Sequence, residues 1–476
     1  MKRTNSNHIL IVLLAILLPT YISAQDATTV RLVASDSTGL SIDSCLALAR
    51  LNNKDIQQAT LNVDKAQQVK QQALTKYFPQ VKAMAVGYHS LHPMFEADID
   101  DIGNASVRDL LVTLYGNYGA ALGLDNYISL FQYGYMAGVT AIQPIYVGGK
   151  IVNGNQLAQV GVDAARLQAE ISQRDILQQV EESYWLLAGL LEKQATVTAV
   201  VNLLDTIHRT VDTAFHAGLV LQTDLLQVEL KQSEMQRTQI QLANGIALAR
   251  RALAQSIGID EDSPLYYAPL NIEPLQDIDE RLVVSVHDHN TAGPESELLS
   301  LQVQAARLQK RMAMADAMPQ VAMGASYGYS NLQTNILRDG LGSKTGNGTV
   351  FFTVSIPITG WWETGHKMQE QEIALQQARL QQEQMTQMLA LRNQQAYDQM
   401  QEAYLLVKEH ERACRTAEEN YRLMSVNYRA GMATITEFLS AQTTLMQSRN
   451  QLTDARIAFR VNTRKYLTLT QQTEAQ

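Results

Sequence analysis

One stretch of the sequence, residues 151–213, is too long and too regular in its apolar pattern to fit inside a compact domain. Its apolar residues recur almost throughout at steps of three and four, the spacing of a helix that keeps one seam against a neighbour. No proline lies between Pro144 and Pro264, so nothing in the backbone forces this helix to stop. At roughly 1.5 Å per residue it would be about 90 Å long. Charged residues such as Arg174 and Glu181 interrupt it, so we expect a helix in water that needs helical partners.

The first 24 residues have the pattern of a secretory signal peptide. Lys2 and Arg3 precede an apolar run of ten residues, and Ala24 provides the small residue that cleavage needs. Ten apolar residues are too few to span a bilayer, so a membrane anchor is the weaker interpretation. No later apolar run approaches about 18 residues, so we expect any membrane crossing of the exported chain to use β-strands.

Composition excludes some classes of partner. The chain has 476 residues, of which 46% are hydrophobic and 18% charged, and only ten prolines, which favours helix. Residues 1–24 carry two basic residues and no acid, so their removal changes the formal net charge from -9 to -11. An acidic chain without a run of Lys or Arg argues against nucleic acid. Cys45 and Cys414 fall in helical patterns, and we expect small core side chains rather than a disulfide.

The sequence is internally duplicated. Three pairs of matching residues are each 213 positions apart: Pro144 and Pro357, Gly218 and Gly431, Leu226 and Leu439. A fourth pair, Pro79 and Pro319, is 240 apart, so the first copy carries 27 extra residues between its two strands. Because insertions collect in exposed loops, we predict a turn-rich acidic loop over residues 90–132. The repeated unit is helix, strand, loop, strand, very long helix, turn and medium helix.

These landmarks divide the chain into four parts. They are the signal peptide (1–24), the first repeat (40–262), a linker or equatorial segment (263–293) and the second repeat (294–470). The linker is rich in proline and mixed charge, as connecting segments often are. In each repeat, proline and glycine mark the predicted junction between the second strand and the long helix. The junction residues are Pro144, Gly148 and Gly149 in the first repeat, and Pro357 and Gly360 in the second.

The predicted strands alternate between apolar residues and small or polar ones. In the second repeat, residues 321, 323, 325, 327 and 329 form an apolar face, opposite alanine, glycine and serine. This pattern fits a tilted strand of a membrane barrel, although a soluble sandwich strand shows the same alternation. Four strands are too few for a barrel with a lumen, which needs about eight, so either the chain oligomerises or its strands form a small soluble domain. Export and the long helices favour oligomerisation.

Two adjacent tryptophans, Trp361 and Trp362, precede the second long helix. This is where the second barrel segment would leave lipid, so we predict that they are interfacial aromatic residues. Helix packing is the alternative interpretation.

Three short motifs, each present at a boundary of the repeat, resemble those of the TolC-type outer-membrane efflux protein family. They are Pro-Ile-Tyr-Val-Gly-Gly-Lys at 144–150, Ala217-Gly218 with Thr-Asp-Leu-Leu at 223–226, and Tyr-Arg-Ala-Gly at 428–431 with Glu-Phe-Leu at 437–439. The resemblance covers essentially the whole mature chain. It implies a fold that is mostly α with membrane β. Four β-strands per chain would contribute to a trimeric 12-stranded barrel, continued by a long coiled α-helical periplasmic tunnel.

The resemblance also implies a function. Such a protein is the outer-membrane exit duct of a tripartite efflux or type I secretion system, and it passes small molecules or proteins passively from a periplasmic pump to the exterior. Its expected partners are two further copies in a homotrimer, outer-membrane lipid, a periplasmic adaptor (membrane fusion) protein and an inner-membrane pump of the RND or ABC type. The expected location is the outer membrane of a Gram-negative bacterium, with a large periplasmic extension. The alternative is a soluble periplasmic coiled-coil scaffold or adaptor.

The resemblance assigns a periplasmic aperture to the two turns at Gly218 and Gly431. Carried over by position, the aperture residues are Thr223, Asp224, Tyr428 and Glu437. The resemblance implies that hydrogen bonds and ion pairs close this aperture and that an arginine takes part in them. Ala433 replaces this arginine, and Ser440 replaces the second acidic residue expected at the aperture. Asp224 and Glu437 also suit the first turn of a helix, which is enough to explain their positions. No motif predicts a catalytic residue, a cofactor or a metal, so we do not expect an enzyme.

Overall fold

The computed structural model describes residues 40–89, 91–92, 95–98, 103–122, 127–260, 269, 293–334, 343–358 and 360–470. The predicted signal peptide and nearly all of the linker 263–293 lie outside these residues. Within the described ranges, no helix combines the length and the apolar character of a membrane span.

The order of elements confirms the duplicated fold. The first repeat contains α1 (Ile42–Asn52), α2 (Lys54–Leu74), β1 (Gln80–His89), β2 (Phe95–Asp98), α3 (Ala105–Leu122), β3 (Tyr127–Val147), α4 (Lys150–His216) and α5 (Gln222–Ile257). The second repeat contains α6 (Pro294–Ala315), β4 (Gln320–Thr334), β5 (Ser343–Ser355), α7 (Trp361–Arg429) and α8 (Ile435–Leu469). The long helices α4 and α7 have 67 and 69 residues. Each is therefore about 100 Å long.

The strands form one antiparallel sheet in the order β1–β3–β4–β5, and the short β2 pairs with β3 beside this path. The β3–β4 pair joins the two repeats, with Val139 opposite Tyr327. Tyr327 in turn lies opposite Gly348 on β5. Within the described residues, β1 and β5 are the edges of the sheet, and each is bonded on one side only.

One face of this sheet is apolar and uncovered. Tyr327 is 67% exposed, and Val350 and Phe352 on the neighbouring strand are 77% and 66% exposed. Gly324, on the opposite face, is buried under the ring of Phe351. The expected alternation is therefore present, except that an aromatic ring covers a glycine on the face of small residues.

The helices pack as antiparallel pairs, α4 with α5 and α7 with α8, and α8 also packs against α4. Where α1 meets α4 and α5, the buried core includes Val180, Tyr184 and Leu187. The core between α7 and α8 contains Met400, Val407 and Phe459. A further cluster near the hairpin tips contains apolar residues of all four of these helices. The predicted seam of α4 is thus the surface that its neighbours cover.

The prediction of a turn-rich acidic loop over residues 90–132 was wrong in three respects. The segment contains the short strand β2 and the helix α3, and β3 begins at Tyr127 rather than at Tyr133. Val107, Leu110 and Leu111 follow helical spacing within α3, a signal that the acidic, turn-rich flanks obscured. Strand β4 also extends beyond the alternating residues 321–329, as far as Thr334.

The first helix is also divided where the sequence shows a polar gap. Asn53 ends α1 and caps α2, because its side-chain oxygen accepts hydrogen bonds from the N–H groups of Asp55 (2.8 Å) and Ile56 (3.2 Å). Its amide nitrogen donates to the carbonyl of Ser256 at the end of α5 (2.7 Å). At the start of α1 the cap is Ser41, whose hydroxyl accepts from the N–H of Ser44 (3.2 Å). The break therefore anchors the first repeat to its own return helix.

Candidate functional site: the tips of the helix hairpins

The turn between α4 and α5 forms the first hairpin tip. Gly218 has a positive φ of 72°, which favours glycine. The N–H of Gly218 donates to the carbonyl of Phe215 (2.9 Å), and that of Leu219 donates to the carbonyl of Ala214 (2.9 Å). These two bonds close the end of α4 in the Schellman arrangement. The Asp224 carboxylate then accepts from the N–H of Leu221 (3.3 Å) and so caps the start of α5.

The turn between α7 and α8 repeats this geometry. Gly431 has the same φ of 72°, and the N–H of Met432 donates to the carbonyl of Asn427 (2.8 Å). Glu437 accepts from the N–H of Thr434 (2.8 Å) and from its hydroxyl (2.9 Å). These bonds from Thr434 lower the pKa of Glu437, so its carboxylate stays charged at neutral pH. Both predicted turn glycines thus lie at matching tips, and both predicted acids are in first turns.

Tyr428 is held at the second tip by aromatic packing. Its ring stacks on Phe438 with the centroids 5.1 Å apart and the planes at 12°. Phe438 is 4% exposed, and Tyr421 packs on it at 5.6 Å. The position of the Tyr428 hydroxyl is therefore set by a buried neighbour on α8.

Asp224 lies close enough to influence Tyr428 electrostatically. Burial raises the pKa of Tyr428, and the negative charge of Asp224 raises this pKa further. The tyrosine therefore keeps its proton and can donate a hydrogen bond. In a single chain, the Asp224 hydrogen bond that the structure describes goes to Leu221 rather than to Tyr428. Thr223, next to Asp224, is exposed to solvent.

A contact that the sequence did not predict joins the two hairpins close to their tips. The Thr436 hydroxyl of α8 donates to the side-chain oxygen of Gln227 of α5, at 2.5 Å. Further from the tips, Lys193 of α4 binds Asp454 of α8 (2.6 Å). Thr436 and Gln227 are unremarkable helix residues in the sequence, and only the placement of α8 beside α5 brings them together.

At the other end of the long helices, the predicted junction residues other than Pro144 lie between sheet and helix. Gly148 and Gly149 have φ of 62° and 81° and turn the chain from β3 into α4. Gly360 precedes α7 with an ordinary φ of -67°, so the repeats differ in backbone conformation here. Pro144 does not end β3, which continues to Val147; the register of the β3–β4 pair shifts between Pro144 and Tyr146 instead. Pro357 follows the end of β5.

The junction also carries exposed aromatic residues and a charged cluster. Trp361 and Trp362 form the first turn of α7 and are 57% and 81% exposed. Asp316, just after α6, binds both Lys150 of α4 (2.6 Å) and Lys367 of α7 (2.7 Å). Hydrogen bonds from these two lysines lower the pKa of Asp316. One carboxylate thus connects the two long helices at the end nearest the sheet.

The described residues of the hairpin tips and of the junction do not form a metal site. Over the part of the chain that the structure describes, no His, Cys, Asp and Glu side chains are grouped so that they could hold a metal ion. The polar groups at the tips are engaged in capping and in contacts between helices.

Together, the duplicated hairpins and the shared sheet define a class of protein in which long helices extend from a β-sheet. The sequence profile of the outer membrane efflux protein family matches residues 45–259 and 299–464 of this chain. The chain therefore belongs to the outer membrane efflux protein family, whose members are channels of the Gram-negative outer membrane and not enzymes. This confirms the resemblance drawn from the motifs.

Solved structures agree on the fold. The CmeC outer membrane channel of Campylobacter jejuni matches with a TM-score of 0.73 at 13% identity, over 90% of this chain and 85% of that one. The outer membrane protein VceC of Vibrio cholerae matches with a TM-score of 0.68 at 17% identity, over 90% and 95%. The MtrE outer membrane channel of Neisseria gonorrhoeae, in its open state, gives 0.67 at 14%, over 91% and 89%. A search of curated protein sequences finds no match.

Proposed function

We propose that this chain is the exit duct of a tripartite efflux or type I secretion system. Three copies form a homotrimer with a 12-stranded barrel in the outer membrane and a helical tube in the periplasm. Transport through the tube is passive. A periplasmic adaptor and an inner-membrane pump of the RND or ABC type deliver small molecules or proteins to its periplasmic end.

The observation that supports this proposal most strongly is the open sheet. A sheet with two unpaired edges and an uncovered apolar face is unstable alone in water. Pairing β5 of one copy with β1 of the next satisfies both edges, and lipid covers the apolar face. Four strands from each of three chains give a barrel wide enough for a lumen.

The helices give independent support. Apolar side chains remain exposed along the outer surfaces of single-chain hairpins, including Leu248 (69%), Leu391 (69%) and Leu405 (61%). A soluble monomer rarely exposes so many large apolar side chains on the surface of its helices. Neighbouring subunits of a tube would cover them. No observation favours the soluble scaffold.

The test is assembly and conductance of the purified full-length protein. We expect an outer-membrane fraction that contains trimers resistant to SDS without heating, and discrete conductance steps when these trimers are inserted into planar bilayers. A protein that stays soluble and monomeric would overturn the proposal, as would trimers that insert and never conduct.

We further propose that the hairpin tips gate the periplasmic end. The Tyr428 hydroxyl is aimed by its stack on Phe438 and lies in the field of Asp224. Tyr428→Phe removes the hydroxyl, which we propose helps to hold the tips closed, and keeps the ring. We therefore expect the isolated trimer to have a higher conductance. Tyr421→Phe is the matched control, because Tyr421 packs on the same Phe438 and its pKa is not raised by Asp224. Equal conductance of both variants and wild type would leave Tyr428 as a packing residue.

Glu437 is proposed as the acidic ring at the mouth, because its carboxylate is exposed and charged. Glu437→Gln keeps the shape of the helix cap and removes the charge. We expect a weaker preference for cations, measured as a shift of the reversal potential in a salt gradient. An unchanged reversal potential would reduce Glu437 to a helix cap.

A further inference from the structure

Thr436 and Gln227 form a hydrogen bond between the two hairpins. It joins α8 of the second repeat to α5 of the first, and the donor and acceptor oxygens are 2.5 Å apart. Thr436 is exposed and needs no bond of its own, because Thr434 already caps α8. A hydrogen bond that is not required by either helix is available to hold the helices together.

This bond lies nearer the tips than the charged contacts described between α4 and α8. Those contacts include Lys193 with Asp454 (2.6 Å), Glu181 with Arg464 (3.0 Å) and the Arg460 guanidinium 4.8 Å from the centre of the Trp185 ring. They lie many helical turns from the tips and fix the hairpins at the middle of the tube, whereas near the tips the hairpins share the apolar cluster that includes Val211, Val228 and Phe438. Movement at the tips would break the Thr436–Gln227 bond first.

We propose that Thr436 and Gln227 form a latch that holds the two hairpins of one subunit together at the aperture. This inference rests on the proposed channel function. Ala433 stands near the same turn with a side chain that cannot form a polar contact, so the neutral Thr436–Gln227 pair supplies a hydrogen bond between the hairpins there. A trimer contains this latch three times.

The duplication indicates where the latch is missing. At the 213-residue spacing, Thr436 corresponds to Thr223, and Gln227 corresponds to Ser440. If six hairpins alternate around a tube, the seam between subunits places Thr223 of one chain towards Ser440 of the next. A serine side chain is two atoms shorter than a glutamine side chain, so it cannot span the gap that Gln227 spans. By this duplication we expect a latched seam within each subunit and an unlatched seam between subunits.

The experiment measures the open probability of full-length trimers in planar bilayers. Gln227→Ala and Thr436→Val each remove the bond, and we expect each to raise open probability at least about fivefold, the factor for one ordinary hydrogen bond. The double variant should do no more than either single variant, because both remove the same bond. Ser440→Gln adds the missing amide at the other seam, and we expect it to lower open probability.

Two controls remove similar groups that do not join the hairpins. The Gln232 amide donates to Asp205 within the first hairpin (2.8 Å), and the Thr444 hydroxyl donates to the Ser440 carbonyl of its own helix (3.0 Å). Gln232→Ala and Thr444→Val should leave open probability unchanged. If the latch variants match these controls while wild type conducts, the latch is wrong and the channel stands. If wild type does not conduct, the channel proposal itself fails.

Discussion

Two adjacent glycines at the sheet–helix junction have similar backbone conformations and different surroundings. Both Gly148 and Gly149 have positive φ, so any L side chain is strained at either position. A Cβ on Gly148 would also lie 2.8 Å from the carbonyl oxygen of Ala315 at the end of α6. A Cβ on Gly149 would come no closer than 3.4 Å, to the flexible end of Asn153. Gly148 is therefore required by packing as well as by conformation.

We expect Gly149→Ala to destabilise the protein by about 1–2 kcal/mol, the cost of a left-handed L residue. Gly148→Ala should cost about 1–3 kcal/mol more, because the backbone of α6 must move. The measurement is the temperature at which the purified assembly loses its helical circular dichroism. Equal midpoints for the two variants would show that the contact with Ala315 does not constrain this junction.

A buried carboxylate provides a second residue-scale prediction. Glu181 of α4 is 8% exposed, and burial raises its pKa although Arg464 lies 3.0 Å away. A raised carboxyl pKa means that the folded state favours the protonated form. The stability that this group contributes is complete below its unfolded pKa and is lost as pH rises through the folded pKa.

Glu181→Gln keeps the side chain neutral at all pH values, so we expect the variant to be more stable than wild type at pH 7. Arg464 is 41% exposed and can be hydrated when its partner loses charge. The difference should vanish near about pH 4, where wild-type Glu181 is protonated. Midpoints of chemical unfolding between pH 4 and pH 8 measure it, with the exposed neighbour Glu182→Gln as control. A loss of stability in Glu181→Gln at pH 7 would mean that the ion pair outweighs burial.

At the scale of elements, each strand separates two environments. Ala325 of β4 lies between Ala141 and Val350 on the apolar face, whereas Ser326 lies between Thr140 and Thr349 on the other face. Gly324 shares the face of Ser326, but the ring of Phe351 covers it, so even a methyl group there would clash. Adjacent positions 325 and 326 therefore test the two faces without that complication.

Ala325→Arg should cost about 2–4 kcal/mol of barrel stability, because it places a charge towards lipid. Ser326→Arg faces the lumen in the proposed barrel and should assemble nearly as well as wild type. The yield of heat-modifiable trimers in the outer membrane measures both. Equal yields would mean that the assigned inner and outer faces are wrong.

At the scale of the whole molecule, the fold places Gly103, just before α3, at one end and the hairpin tips at the other. Gly103 has open space around a Cβ, and Met432 at a tip is 72% exposed. The native cysteines should not interfere. Cys45 is fully buried, and burial raises its pKa to about 12; burial also raises the pKa of Cys414.

We expect Gly103→Cys to react with a membrane-impermeant maleimide on intact cells, because its loop should be extracellular. Met432→Cys should react only after the outer membrane is permeabilised, because the tips should be periplasmic. Wild type supplies the background from the two native thiols. Labelling of residue 432 on intact cells, or of residue 103 only after permeabilisation, would reverse the proposed topology.

The amino-acid sequence alone determined the duplicated plan of this protein. Apolar spacing is a local property, so it predicted α4, and the duplication then predicted α7 at the matching position. The glycines with positive φ marked both hairpin turns. Alternation along β4 predicted the apolar face of the sheet for the same reason. The motifs identified the family, and they placed Asp224 and Glu437 in the first turns of helices at the tips.

Only the tertiary structure decided which distant residues meet. In the sequence, Asn53 is a polar residue that interrupts the apolar pattern of the first helix. In the structure, its side chain binds the carbonyl of Ser256, 203 residues away. Phe351 covers Gly324 through the register of two strands, and Thr436 reaches Gln227 across 209 residues. Such contacts depend on the relative rotation and register of packed elements. Periodicity along a helix or strand indicates which face of the element is buried, but not which residue of a neighbouring element will contact that face.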